Sequence, residues 1–134
     1  MEKIIINAEN TQMGRIGSYA AKQALLGNEI IVLNSEKAVI SGNKVPSLTK
    51  YRTRRQMGGS SLKGPKISKD TEKILKRCIR GMLPDHRTGR GKQAWKKIKC
   101  YNGIPAEYKE AKAIKITKKL PTKHITLKEL KAKL

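Results

Sequence analysis

Arginine presents a planar fork of donors that grips a phosphate through two parallel hydrogen bonds. This chain sets its arginines in short groups: Arg52, Arg54 and Arg55, then Arg77 and Arg80, then Arg87 and Arg90. Lysines thicken the same region, with Lys44 and Lys50 around the first group, Lys63 and Lys66 in the stretch after it, and Lys92, Lys96 and Lys97 after the last. Arg15 stands apart near the N-terminus. The chemistry open to these groups is the binding of a dense polyanion, which in a cell usually means nucleic acid.

The distribution of charge sharpens that reading. Between Asn43 and Lys99 eighteen Lys/Arg residues face three acids, Asp70, Glu72 and Asp85, whereas the first forty-two residues carry four bases and four acids. The whole chain of 134 residues has a net charge of +21 and a pI near 10.3. Bases interleaved with few aromatics (no Phe, one Trp, four Tyr) favour phosphate contacts and folded RNA recognised by shape over single strands stacked on aromatic platforms. For Lys118, Lys119, Lys128, Lys131 and Lys133, a solvated face and an RNA contact remain equal alternatives.

Other chemistries find less footing. Gly14-Arg15-Ile16-Gly17-Ser18 follows an apolar run and opens a helical pattern, a setting in which backbone N–H groups can cradle a phosphate. Yet neither G-x-G-x-x-G nor G-x-x-x-x-G-K-[ST] is present, so no nucleotide cofactor is expected. Gly14 then serves the turn, and Gly17 lets the helix lie close to the sheet, while Arg15 is still placed to take a phosphate. His86 and His124 lie far apart and the two cysteines form no C-x-x-C pair, so no metal is expected. The ten acids are scattered among lysines, which leaves no catalytic constellation, and His86 reads as a turn residue or phosphate contact. Cys78 and Cys100, in apolar settings, read as buried free thiols of a reducing compartment.

The elements that must position the bases can be read from periodicity. Lys3 to Asn7 is a β-branched run expected to be a central strand, and Glu29 to Asn34 repeats it. The apolar or small positions from Ile16 to Leu26 give a helix between them, making a βαβ unit. Val45 to Gln56 predicts a helix whose circumference is mostly basic. Met57 to Ser68 reads as a glycine- and serine-rich loop. Ser68 is the expected N-cap of the next helix, whose pairs Ile74/Leu75, Cys78/Ile79 and Met82/Leu83 form the clearest apolar stripe in the chain. Beyond Pro84 come a basic turn, a short helix over Gly91 to Lys97, a third strand over Ile98 to Tyr101, a fourth over Ala113 to Thr117 and a terminal helix over Leu127 to Leu134. Length suits one domain over 1–134, with a basic segment at about 43–99. No window reaches the roughly 18 apolar residues of a spanning helix, and Met1 to Asn7 lacks a signal-peptide layout, so a cytoplasmic protein without membrane association is expected.

Several stretches, in order, resemble the large-subunit ribosomal protein L-thirteen family in its archaeal and eukaryotic branch. They are Gly14-Arg15 with Ala21-Lys22-Gln23-Ala24-Leu25-Leu26-Gly27, then Ile40-Ser41-Gly42-Asn43, Lys63-Gly64-Pro65, Arg80-Gly81-Met82-Leu83-Pro84 with Arg90-Gly91, and Gly103-Ile104-Pro105. The Arg80 to Pro84 segment is the specific part. Asp85-His86 departs from the more basic pair of relatives, and the short C-terminus lacks their Gly-Trp. The resemblance implies a three-layer α/β/α sandwich on a small, mainly parallel four-stranded sheet. It also implies a non-enzymatic, structural protein that binds and braces folded large-subunit ribosomal RNA, beside neighbouring ribosomal proteins, with no small-molecule substrate. An architectural DNA-binding protein and a small nucleotide-dependent enzyme are the rival readings.

Overall fold

The computed structural model describes residues 2–57, 68–116 and 120–134. Strand β1 (Lys3–Asn7) leads into helix α1 (Met13–Leu25), which buries Ile16, Ala20, Ala21 and Ala24 along one stripe and stops before Gly27, at φ 101°. Strand β2 (Glu29–Leu33) follows, and then the short strand β3 (Val39–Ser41). Helix α2 (Lys44–Gln56) has no fully buried residue, as its basic circumference implies. Helix α3 (Thr71–Gly81) is strongly amphipathic and buries Thr71, Ile74, Leu75 and Ile79. Helix α4 (Gly89–Lys96) and strand β4 (Ile98–Cys100) complete the basic region. The chain ends in strand β5 (His124–Thr126) and helix α5 (Leu127–Lys133), whose cap Thr126 accepts a bond on its hydroxyl from the Glu129 N–H at 3.2 Å.

Parallel pairing runs in the order β1-β2-β4, with Ile4 opposite Ile30 and Ile30 opposite Ile98. The centre is therefore β2, buried over its last four residues, and not β1, whose first residues are partly exposed. β3 and β5 form a separate antiparallel pair, Ile40 opposite Ile125. The structure is mixed α/β, and among the described residues the parallel sheet has three strands, not the expected four. At the place of the fourth strand Ile114 makes one parallel bridge to Ile6, with the Asn7 N–H donating to its carbonyl and its own N–H donating to the Ile5 carbonyl.

All five of the described helices feed one apolar cluster against a single face of the sheet. It joins Ile6, Ile30, Val32 and Ile98 to Ile16 of α1, Tyr51 of α2, Leu75 and Ile79 of α3, Ala94 of α4 and Leu130 of α5. Leu75 and Ile79 are wholly buried, each contributing about 2 kcal/mol of transfer free energy. Alternation points Lys3, Ile31 and Leu33 to the opposite face. There Lys3 lies 5.8 Å over the ring of Tyr108, which packs 6.1 Å from Tyr101. A 3-10 turn (Ala106–Tyr108), rather than a second helical layer, thus lies on that side among the described residues. The three-layer expectation is corrected accordingly.

Two smaller expectations also change. Asp70, not Ser68, is the N-cap of α3, while the Ser68 hydroxyl accepts from the Asp70 N–H at 3.1 Å. Cys78 and Cys100 are free and only partly buried. The expected loop over Met57 to Ser68 falls almost wholly outside the described residues, and Lys63 and Lys66 with it.

Candidate nucleic-acid interface

Helix α3 organises the basic surface. Burial of Ile74, Leu75 and Ile79 turns Lys73, Lys76, Arg77 and Arg80, spaced i, i+3, i+4 and i+7, toward the outside. Lys73 is exposed, and the other three are half-buried along their stems. On one side of α3 a groove of about 270 Å³ opens toward α2, with Lys50, Arg54 and Arg77 around Tyr51 and Cys78. On the other side a groove of about 220 Å³ opens toward α4, with Lys73, Lys76, Arg77 and Arg80 around Trp95. Arg77 borders both. The Lys76 ammonium stands 4.7 Å over the Trp95 ring, and His86 meets the same ring edge-on at 6.4 Å.

The few acids near this surface serve the fold. Asp85 orders the turn after Pro84, accepting from the Arg87 N–H at 3.0 Å and from the Thr88 hydroxyl at 3.4 Å. Asp70 reaches Lys73 at 3.4 Å and Lys131 at 3.8 Å, and Glu129 reaches Lys44 at 3.2 Å. Among the described residues, Lys50, Arg77, Arg80, Arg87, Arg90, Lys92 and Lys96 have no carboxylate within salt-bridge distance.

Not every candidate base is turned outward for a ligand. Arg52 donates to the Lys133 carbonyl, Lys44 pairs with Glu129, and Lys97 donates to the Gly27 carbonyl at 3.4 Å, beside the C-terminal end of α1. Arg54 lies 5.9 Å over the Tyr51 ring. Arg55 is exposed on α2, Arg87 on the turn, and Arg90, Lys92 and Lys96 on α4. Arg15 is exposed in the first turn of α1, two residues from Met13, which lines the α2–α3 groove. Sequence reasoning missed Tyr51, Lys73, Lys76 and Trp95. The spacing of Lys73 and Lys76 with Arg77 and Arg80 carried the signal for two of them.

The glycine-rich start of α1 is a packing device. A Cβ on Gly17 would stand 2.9 Å from the Met82 Sδ, so this glycine admits the end of α3 rather than the sheet. Gly14 has nothing within 4 Å of the corresponding position. The thiols are poor nucleophiles. Burial pushes Cys100 up to about 12, against a smaller opposing pull from Lys76. Burial likewise raises Cys78 and, with the neighbouring Cys78, raises Tyr51, so the floor of the α2–α3 groove is neutral.

Comparison with known proteins places the chain. The family model described as Ribosomal protein L13 matches residues 1–107. The Large ribosomal subunit protein uL13 of Methanococcus maripaludis is 46% identical over 105 residues, 76% of each chain. That of Methanococcoides burtonii is 38% identical over 135 aligned positions, covering 97% of this chain and 96% of its own. The longer protein of the same name from Caenorhabditis elegans is 39% identical over 113 residues, 83% of this chain and 55% of its own. These relatives are named for a place in a ribosomal subunit and not for a reaction, in line with the expectation of a chain that is not an enzyme. A family match over most of the residues, with relatives spanning nearly the full length at this identity, shows that the chain belongs to the ribosomal protein L13 family.

Proposed function

We propose that this chain is a structural constituent of the large ribosomal subunit, in the cytoplasm, where it binds and braces folded large-subunit ribosomal RNA. The observation that carries the reading is Arg77, which borders both grooves and so joins the cations of α2 to those of α3 beside Trp95 of α4. Family membership supports the choice of ribosomal RNA as the polyanion. The whole chain 1–134 acts as one domain, and segment 43–99 is its contact region.

The mechanism is counterion displacement and bracing. RNA phosphates settle on Lys50, Arg54, Arg55, Arg77, Arg80, Arg87, Arg90, Lys92 and Lys96, releasing condensed cations. Helices of RNA that would repel one another are then held together without bond chemistry. Arg15 extends the same surface, and Lys63 and Lys66, outside the described residues, are proposed from the sequence as further phosphate contacts. Lys44, Arg52 and Lys97 act chiefly by fixing α2 and α4 in place, and neighbouring ribosomal proteins meet the remaining faces. No described helix is long and apolar enough to cross a membrane.

Salt-dependent binding to a large-subunit ribosomal RNA transcript tests the reading. Arg77→Ala and Arg80→Ala should each weaken binding by about 1 kcal/mol or more and lower the salt slope by about 1. Unchanged affinity and slope in both variants, or equal preference for duplex DNA at the same salt, would contradict it.

A further inference from the structure

We infer that the groove between α2 and α3 receives a single unstacked nucleotide of the bound RNA, its base inside and its phosphate on Lys50, Arg54 and Arg77. The inference rests on the RNA-binding reading above and specifies what one part of the surface recognises. The groove differs chemically from the rest of that surface. Its floor is neutral and apolar, built from Met13, Tyr51, Ile74 and Cys78, while its rim is cationic. A phosphate alone needs only the rim; an apolar floor beneath cations matches a base joined to its phosphate. The cavity, about 270 Å³, has room for one such unit and not for a duplex.

Gly81 gives an independent reason. It is the last residue of α3, lines this groove and is not among the positive-φ glycines. A Cβ built on it meets nothing within 4 Å, so neither the backbone nor any packed neighbour among the described residues requires glycine there. Glycine in a helix is less stable than alanine by about 0.5–1 kcal/mol, and open space at such a position suits the close approach of a ligand. Arg54, held over the Tyr51 ring, stands where it can cover an inserted base and reach its phosphate.

The test compares the full chain with Gly81→Leu on a large-subunit ribosomal RNA transcript. Leucine narrows the groove, keeps every charge and favours the helix, and the single Trp95 reports whether the fold is retained. Affinity should fall about ten-fold or more with an unchanged salt slope. Ultraviolet irradiation of the wild-type complex should couple one nucleotide to a peptide bearing Tyr51 or Cys78, and Gly81→Leu should abolish that product. Wild-type affinity in Gly81→Leu, or crosslinks confined to other peptides, would overturn the inference while leaving RNA binding intact. Failure of the wild-type chain to prefer ribosomal RNA would instead overturn the reading beneath it.

Discussion

Arg52 of α2 donates two hydrogen bonds to the backbone carbonyl of Lys133 in α5, through Nη2 at 2.8 Å and Nε at 3.3 Å. Together with the Lys44–Glu129 pair, this makes the C-terminal helix a bracket for an α2 that has only Leu48 and Tyr51 packed against the core. The C-terminus thereby supports the proposed interface without forming it.

Arg52→Ala should free α2 locally. Hydrogen exchange across 44–56 should speed up by an amount equal to about 1 kcal/mol of lost opening free energy, while α3 exchanges as before. Unchanged exchange in α2 would show that Leu48 and Tyr51 hold it alone.

Glycines of different contact make a sharper pair. A Cβ on Gly91 would overlap the backbone carbonyls of Pro84 and Asp85, which cannot swing away as a side chain does. Gly91→Ala should lower unfolding stability by about 2 kcal/mol or more, whereas Gly14→Ala, in open space, should leave it unchanged or raise it by up to about 1 kcal/mol. Urea denaturation of the two variants checks both expectations.

Much of this architecture was legible in the residues. The apolar runs of β1 and β2 and the Ile74/Leu75, Cys78/Ile79 stripe of α3 announce themselves by local period, and the basic surface follows because burying the stripe turns its opposite face outward. What escaped is non-local. β3 and β5 are three residues each and pair across more than eighty positions of chain, and that pairing left no periodic trace. Ala113 to Thr117 has a strand's alternation, but a β-run says nothing about how many bonds a neighbour will offer, and among its described residues only Ile114 finds them. The order that makes β2 central is equally invisible in two similar runs. Within the candidate interface, the spacing of Lys73, Lys76, Arg77 and Arg80 was readable, whereas the meeting of Arg77 with Lys50 and Arg54 depends on how α2 docks.

An acid inside a basic surface should help RNA binding when its role is to shape a turn. Asp85→Ala removes the acceptors for the Arg87 N–H and the Thr88 hydroxyl, so affinity for ribosomal RNA should fall by about two- to five-fold despite the gain in net charge. Asp85→Asn keeps an acceptor oxygen and should bind at least as tightly as the wild type. The opposite order would make Asp85 a purely repulsive charge.

Alkaline stability carries a signature of Cys100. Its thiol ionises near 9 in an unfolded chain but is pushed up to about 12 by burial in the fold. Between those values the unfolded state has lost a proton that the native state keeps. The contribution is therefore complete below about 9 and is lost as pH rises toward 12. Cys100→Ala should show a shallower loss of stability than the wild type from pH 9 to 11 in parallel urea titrations. Identical slopes would contradict the assignment.

The central claim is tested most directly by sedimenting a cell lysate through a sucrose gradient and quantifying this chain by mass spectrometry in salt-washed fractions. Co-migration with the large subunit at about one copy per particle is the predicted result, reflecting a surface of phosphate contacts too extensive for moderate salt to strip. Recovery chiefly as free protein, or with chromatin, would contradict it.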